Sequence, residues 1–246
     1  KQSFITETRE EAEDIAKRLK NRDFTGNTGT AIKNSTYQLG RTIVAKGGSL
    51  LFVIILARLL MPELYGLYGL ALSTILFLSV FSDLGISNAL ATYLAKNIDH
   101  SKKKAKSYFV YLSKIKIILV ISSGLLILLT AHFFANTYYN KPIFYALLVG
   151  GIYFPLSYLS RYLGTLFMSK NNFKTNFIGE IIFQVLRLSI IPLLVLYLLP
   201  KTPDPNVFLL YLFLALTFCY FMTGIYYVLS YLFFNIFSGI KAGTLT

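Results

Sequence analysis

The sequence predicts an all-α fold: a polytopic membrane bundle of six transmembrane helices. Composition is the first reason. Of the 246 residues, 55% are hydrophobic and only 14% are charged, whereas a soluble domain carries about a quarter charged residues. Length is the second reason. Six apolar segments, near 40–60, 67–84, 115–134, 143–163, 177–199 and 207–234, each approach or exceed the roughly 20 residues that cross about 30 Å of hydrocarbon. The pattern within them is the third. They are continuously apolar, whereas barrel strands alternate apolar and polar over about ten residues.

Residues 1–35 form a polar N-terminal segment, expected on the cytoplasmic side. Within it "TREEAEDIAKRLK" (8–20) reads as a short helix. Thr8 and Glu11 make a capping box, acids crowd its start and Lys17, Arg18 and Lys20 its end. Glu13/Lys17 and Asp14/Arg18 are pairs four residues apart. "NRDFTGNTGT" (21–30) reads as a flexible linker. No apolar core with a small-residue cleavage site marks a signal peptide. The chain begins at Lys1 instead of Met, which suggests a processed chain or a missing upstream segment.

Residues 36–234 hold the six spans. "LMPELYG" (60–66) reads as a tight turn between the first two, because the residue before Pro62 is pushed out of helical geometry. Gly66 and Gly69 are expected to supply conformational freedom and close backbone approach in the returning helix. Arg58 can pair with Glu63 or snorkel toward phosphates. The second span is expected to continue past Gly85 through the amphipathic "ISNALATYLAKN" to Lys96. Pro155 and Pro192 should kink the fourth and fifth helices. Gly47-Gly48 and Gly150-Gly151 should permit close helix packing. Residues 235–246 form a tail.

The formal charge of +13 does not imply nucleic acid, which would need the cations on one face with base-reading groups. Lys and Arg lie mostly between apolar runs. The N-terminal segment and the connections around 96–116 and 170–174 are rich in them, while the first, third and fifth connections carry about one each, Arg58, Lys141 and Lys201. By the positive-inside rule both termini are cytoplasmic in a multi-pass protein of the cytoplasmic membrane. The aromatic cluster "HFFANTYYNKPIFY" (132–145) then lies at the outer interface. "SKKKAK" (101–106) either binds anionic lipid headgroups or serves only as a topology determinant. His100 and His132 are isolated and the single cysteine, Cys219, excludes an intrachain disulfide. No metal site, cofactor or catalytic constellation is expected.

"LARLLMPELYGLYGLALS" followed by "FSDLGISNALATYLAK" resembles the amino-terminal signature of the polysaccharide-biosynthesis flippases. These O-antigen flippase-like exporters of lipid-linked oligosaccharide belong to the multidrug/oligosaccharidyl-lipid/polysaccharide superfamily. The matching elements are Arg58, Pro62-Glu63 and Tyr65-Gly66, then Asp83-Leu84-Gly85, then a Tyr-Leu at 93 before a basic loop. The resemblance covers roughly 36–96; the later spans match in hydropathy and spacing. It implies two pseudo-symmetric six-helix bundles enclosing a central cavity, of which this chain supplies one, so that a second lobe or a homodimer partner completes it. It also implies a lipid-linked oligosaccharide as cargo and membrane lipids as surroundings.

Ionisable residues inside the spans carry the functional expectation, because charge in hydrocarbon is costly. They are Arg41 and Lys46 in the first span, Asp83 in the second, Arg161 in the fourth, and Glu180 and Arg187 in the fifth. Glu180, Gln184 and Arg187 share one helix face, with Glu180 and Arg187 about 10 Å apart along the axis. Tyr158, Arg161 and Thr165 make a second polar stripe. The cations outnumber the acids, as a cavity for a pyrophosphate-bearing ligand requires. The alternative is that Arg41, Lys46 and Arg161 snorkel to the cytoplasmic interface while Asp83 and Glu180 satisfy local hydrogen bonds. The leading expectation is a flippase working by alternating access. A cation-coupled drug or metabolite antiporter using Asp83 or Glu180, a membrane enzyme, and a non-transporting subunit are the other readings.

Overall fold

The computed structural model describes residues 26–82, 92, 102–169, 172–202 and 204–234. Among them the order is α1 (Gly26–Ser79), a 3₁₀ turn (Val80–Ser82), α2 (Lys102–His132), a π-helical turn (Phe133–Tyr138), α3 (Phe144–Ser169), α4 (Phe173–Leu198) and α5 (Pro205–Phe234). The fold class is all-helical. Four helices are long and apolar enough to cross a membrane: α1, α2 together with the π turn, α4 and α5. The 26 residues of α3 include tyrosines, serines and Arg161, and it is not among those four.

Six spans were expected and five α-helices are found among the described residues, because the first two expected spans fall within α1. Its helical backbone breaks at Met61, where φ is 57° and ψ 164°. The break falls on the residue before Pro62, whose ring disfavours helical geometry at that position. Both halves bury the same core, with Phe52, Leu56 and Leu60 before the break and Tyr68, Ala71 and Ile75 after it. Close approach at Gly66 and Gly69 is not found: among the described residues open space lies beside both, on the exposed face. No ion pair joins Arg58 to Glu63 among the described residues; both are exposed on either side of the break.

Two boundaries differ from expectation. Residues 26–30, expected in a linker, already belong to α1, and 102–106, expected in a loop, open α2. Hydropathy marks where a helix enters hydrocarbon, not where its hydrogen bonds begin. The early part of α1 is held by tertiary contacts, with the Tyr37 ring 6.0 Å from that of Phe177. The 8–20 helix, Asp83, Gly85, the stretch beyond Gly85 apart from Thr92, and the tail lie outside the described residues.

Side-chain contacts give the directions of the helices. Ala45, Ser49 and Phe52 meet Gln184 and Arg187, so the first half of α1 runs parallel to α4. Tyr153 and Ser160 meet Phe213 and Tyr220, so α3 and α5 are parallel. Thr175 and Phe183 meet Tyr226 and Tyr220, so α4 and α5 are antiparallel. Ser113 and Gly124 meet Tyr162 and Pro155, so α2 and α3 are antiparallel.

Outward positions such as Phe77, Leu129, Leu193 and Leu232 are exposed and apolar, so lipid has no reason to drive the helices together by the hydrophobic effect. Close packing through small residues does so instead. A Cβ on Gly124 would lie 2.6 Å from Pro155 Cγ and 2.7 Å from the Gly151 carbonyl; α2 and α3 touch there almost backbone to backbone. Gly150 admits Ile75 and Gly48 admits Gln184, whereas Gly47 faces open space. Both Pro155 and Pro192 sit inside continuous helices.

Candidate functional site: an arginine-lined cavity between α1, α3, α4 and α5

Helical spacing builds the site. On α1, Arg41, Ala45 and Ser49 recur every four residues and face α4; on α4, Asn176, Glu180, Gln184 and Arg187 face back. Residues three and four apart share one side of a helix. Between them lies a cavity of about 320 Å³, closed on its other side by Ser160 and Arg161 of α3 and by Tyr220, Thr223 and Tyr227 of α5.

The gap between Glu180 and Arg187 is bridged by Gln184. Its Nε2 donates to Glu180 Oε1 at 2.9 Å and its Oε1 accepts from Arg187 at 2.7 Å. Arg187 also donates to Ser49 Oγ at 3.1 Å. Arg41 closes the other end of the chain, with a guanidinium nitrogen 3.5 Å from Glu180 Oε2. A single polar ladder thus runs Arg41, Glu180, Gln184, Arg187, Ser49 across two helices. The Nε atoms of Arg41 and Arg187 are buried and have no hydrogen-bond partner among the described residues.

Aromatic faces hold the cations where carboxylates do not. The Arg187 guanidinium carbon lies 4.4 Å from the Phe52 ring centroid and 5.1 Å from that of Phe183, within the range of cation–π attraction. Arg161 is exposed overall but donates to the Tyr220 hydroxyl at 3.3 Å. On the far side Tyr227 donates to Asn176 Oδ1 at 2.9 Å, packed against Gly179. Three guanidinium groups and one carboxylate therefore line the described cavity.

The structure brings Arg41, Arg161, Glu180, Gln184 and Arg187 together. Lys46 does not join them: it is exposed, about 140° around the helix from Arg41 at 100° per residue. Tyr158 stands beside the cavity, its ring 5.9 Å from the Arg161 guanidinium and 4.8 Å from Lys116 Nζ. Asp83 and Gly85 lie outside the described residues. Arg58, Pro62, Glu63 and Gly66 are at the turn, away from the cavity.

Lys116 is the residue that sequence reasoning misplaced. Counted as a loop cation, it is wholly buried within α2, at 0% exposure. A signal existed: Lys116, Val120, Ser123, Ile127 and Ala131, all buried, follow a helical repeat of four, three, four and four. The neighbouring Lys114 is exposed. Ser49 was missed too, although it lies two turns from Arg41 on the same face.

A family model described as polysaccharide biosynthesis protein matches residues 31–244. No curated protein and no solved structure matches the chain.

Proposed function

The chain belongs to the polysaccharide biosynthesis protein family, and on that premise we propose that it is the membrane lobe of a flippase. The cargo is a polyprenyl-(pyro)phosphate-linked oligosaccharide, carried from the cytoplasmic to the outer leaflet for cell-surface glycan synthesis. The observation that carries the reading is the cavity in which Arg41, Arg161 and Arg187 face a single carboxylate, Glu180.

Guanidinium forks bind phosphate oxygens bidentately, and they do so most strongly where water is excluded. A phosphate entering beside Glu180 competes with that carboxylate for the Arg41 guanidinium. The lipid tail stays in hydrocarbon. In this reading α1 crosses twice, at 26–60 and 62–79, so the lobe crosses six times with both ends cytoplasmic. Rocking against a second lobe exposes the cavity to each side in turn.

The protein is on this reading a transporter and not an enzyme. The antiporter alternative needs a carboxylate open to a coupling ion, and Glu180 is held by Arg41 and Gln184. The test is glycolipid translocation by the full-length protein in proteoliposomes. Arg41→Ala and Arg187→Ala, at unchanged expression, are expected to abolish it. Full activity in both would remove the cavity from the mechanism, and transport of a small cation driven by a sodium or proton gradient would favour the antiporter.

A further inference from the structure

An acid in the wall of an anion cavity works against the ligand, and Glu180 is the one carboxylate among the described lining residues. A local structural role does not account for its charge. Toward Gln184 it accepts one hydrogen bond on Oε1 at 2.9 Å, which a carboxamide oxygen in its place would accept equally well. Only the contact with Arg41 uses the charge.

That contact is loose. A guanidinium nitrogen of Arg41 stands 3.5 Å from Glu180 Oε2, with the Arg41 side chain 30% and the Glu180 side chain 15% exposed, whereas a tight guanidinium–carboxylate bond closes to about 2.7–2.9 Å. Both partners line the cavity and both keep accessible surface, so an entering anion can reach the guanidinium while the carboxylate still holds it. Arg187 is the opposite case. It donates to Gln184 and to Ser49 and lies against the rings of Phe52 and Phe183, so it is fixed in place without a ligand. The wall between α1 and α4 thus carries one fixed cation and one exchangeable cation.

The charge balance points the same way. Three guanidinium groups less one carboxylate leave the described lining with a surplus of two positive charges. A diphosphate diester carries one negative charge on each phosphate, so the cavity that holds it is neutral when Glu180 is ionised. Without that carboxylate an uncompensated cation would remain beside the ligand, where low dielectric makes the attraction strong. A transport site has to bind well enough to load and weakly enough to unload.

We propose that Glu180 is the release residue of the cavity: a built-in counter-anion that yields Arg41 to the incoming phosphate and takes it back as the phosphate leaves. The inference rests on the flippase reading above. Arg187 and Arg161 hold the ligand, and Glu180 sets how long it stays.

The experiment uses the full-length protein and two readouts: the dissociation rate of polyprenyl diphosphate from the protein in lipid nanodiscs, and translocation in proteoliposomes of the same lipid bearing one N-acetylhexosamine. Glu180→Gln keeps the shape and the bond from Gln184 and removes the charge. It is expected to slow dissociation ~10-fold, a difference of about 1.4 kcal/mol, and to slow translocation with it. Glu180→Asp keeps the charge but draws the carboxylate back from Arg41 by one carbon. It is expected to slow both as well, which separates exchange at Arg41 from plain repulsion by a nearby acid, and it covers the case in which Glu180→Gln fails to fold. Weaker lipid binding in Glu180→Gln would make Glu180 a structural acid and overturn the proposal. Slower dissociation with undiminished translocation, or wild-type behaviour in Glu180→Asp, would overturn it too, and each of these results leaves the arginine cavity standing. Failure of wild type to bind polyprenyl diphosphate overturns the flippase reading, and the release role with it.

Discussion

Gln184 is the residue on which the polar ladder depends, because it satisfies an acid and a base at once. Gln184→Leu keeps the volume and removes both bonds, leaving Glu180 with one fewer donor and Arg187 with one fewer acceptor in a buried site. Such losses cost about 1–3 kcal/mol each, so thermal unfolding in detergent should shift down clearly, and phosphate-lipid binding should weaken with it. Gly179→Ala places a methyl group against the Tyr227 hydroxyl. Overpacking of that kind costs roughly 1–3 kcal/mol, and adding Tyr227→Phe should not recover it, because the ring carbon Cζ also stands 2.5 Å from the new methyl group and the bond to Asn176 is lost. Recovery of stability in the double variant would mean that the hydroxyl, and not the ring, sets the limit. At Lys116, wholly buried against Tyr158, truncation to Ala should cost a few kcal/mol through the void alone; a shift near zero in the same thermal assay would place the side chain in water. Glu180, Gln184 and Arg187 could be placed on one face from their spacing alone. That Gln184 joins the other two could not, because rotamers and the partner helix decide it.

Among the elements, α1 is the informative one. Met61 adopts a backbone conformation that is nearly glycine-only, at a cost on the order of 1–3 kcal/mol. Its side chain is 67% exposed, so little packing compensates. Met61→Gly should therefore raise thermal stability by about 1 kcal/mol with translocation unchanged. Lower stability would show that the Met61 side chain packs in the membrane after all. The break was legible because Pro62 restricts its predecessor whatever surrounds it. The close packing expected at Gly66 and Gly69 was not, since a glycine permits close approach without causing it, and among the described residues no helix approaches. The start of α1 at Gly26 and of α2 at Lys102 were missed for a related reason. Polar helical turns outside hydrocarbon are settled by what they pack against, as with Tyr37 on Phe177.

At the scale of the whole molecule, the orientation and the number of crossings can be tested together. Cys219 is buried and is the single cysteine, so a Cys219→Ser background accepts new single cysteines cleanly. Lys33→Cys and Thr137→Cys, both at exposed positions, should react with a membrane-impermeant maleimide from opposite sides of the membrane, Thr137 from outside. Three crossings separate them if α1 turns back at Met61. Labelling of both from one side would mean that α1 crosses once, and would overturn the six-crossing lobe. By itself the sequence determined that the chain is a helical membrane protein, where its first helix breaks before Pro62, and which spans carry charge. These are local properties: hydropathy, the steric demand of a proline ring and the cost of charge in lipid act on each segment without reference to its neighbours. Only the tertiary structure decided that Arg41, Arg161, Glu180 and Arg187 share one cavity, that Lys46 does not, and that Lys116 is interior. A helix presents its side chains around the full circle, and which arc becomes a wall is fixed by the neighbouring helix that packs there.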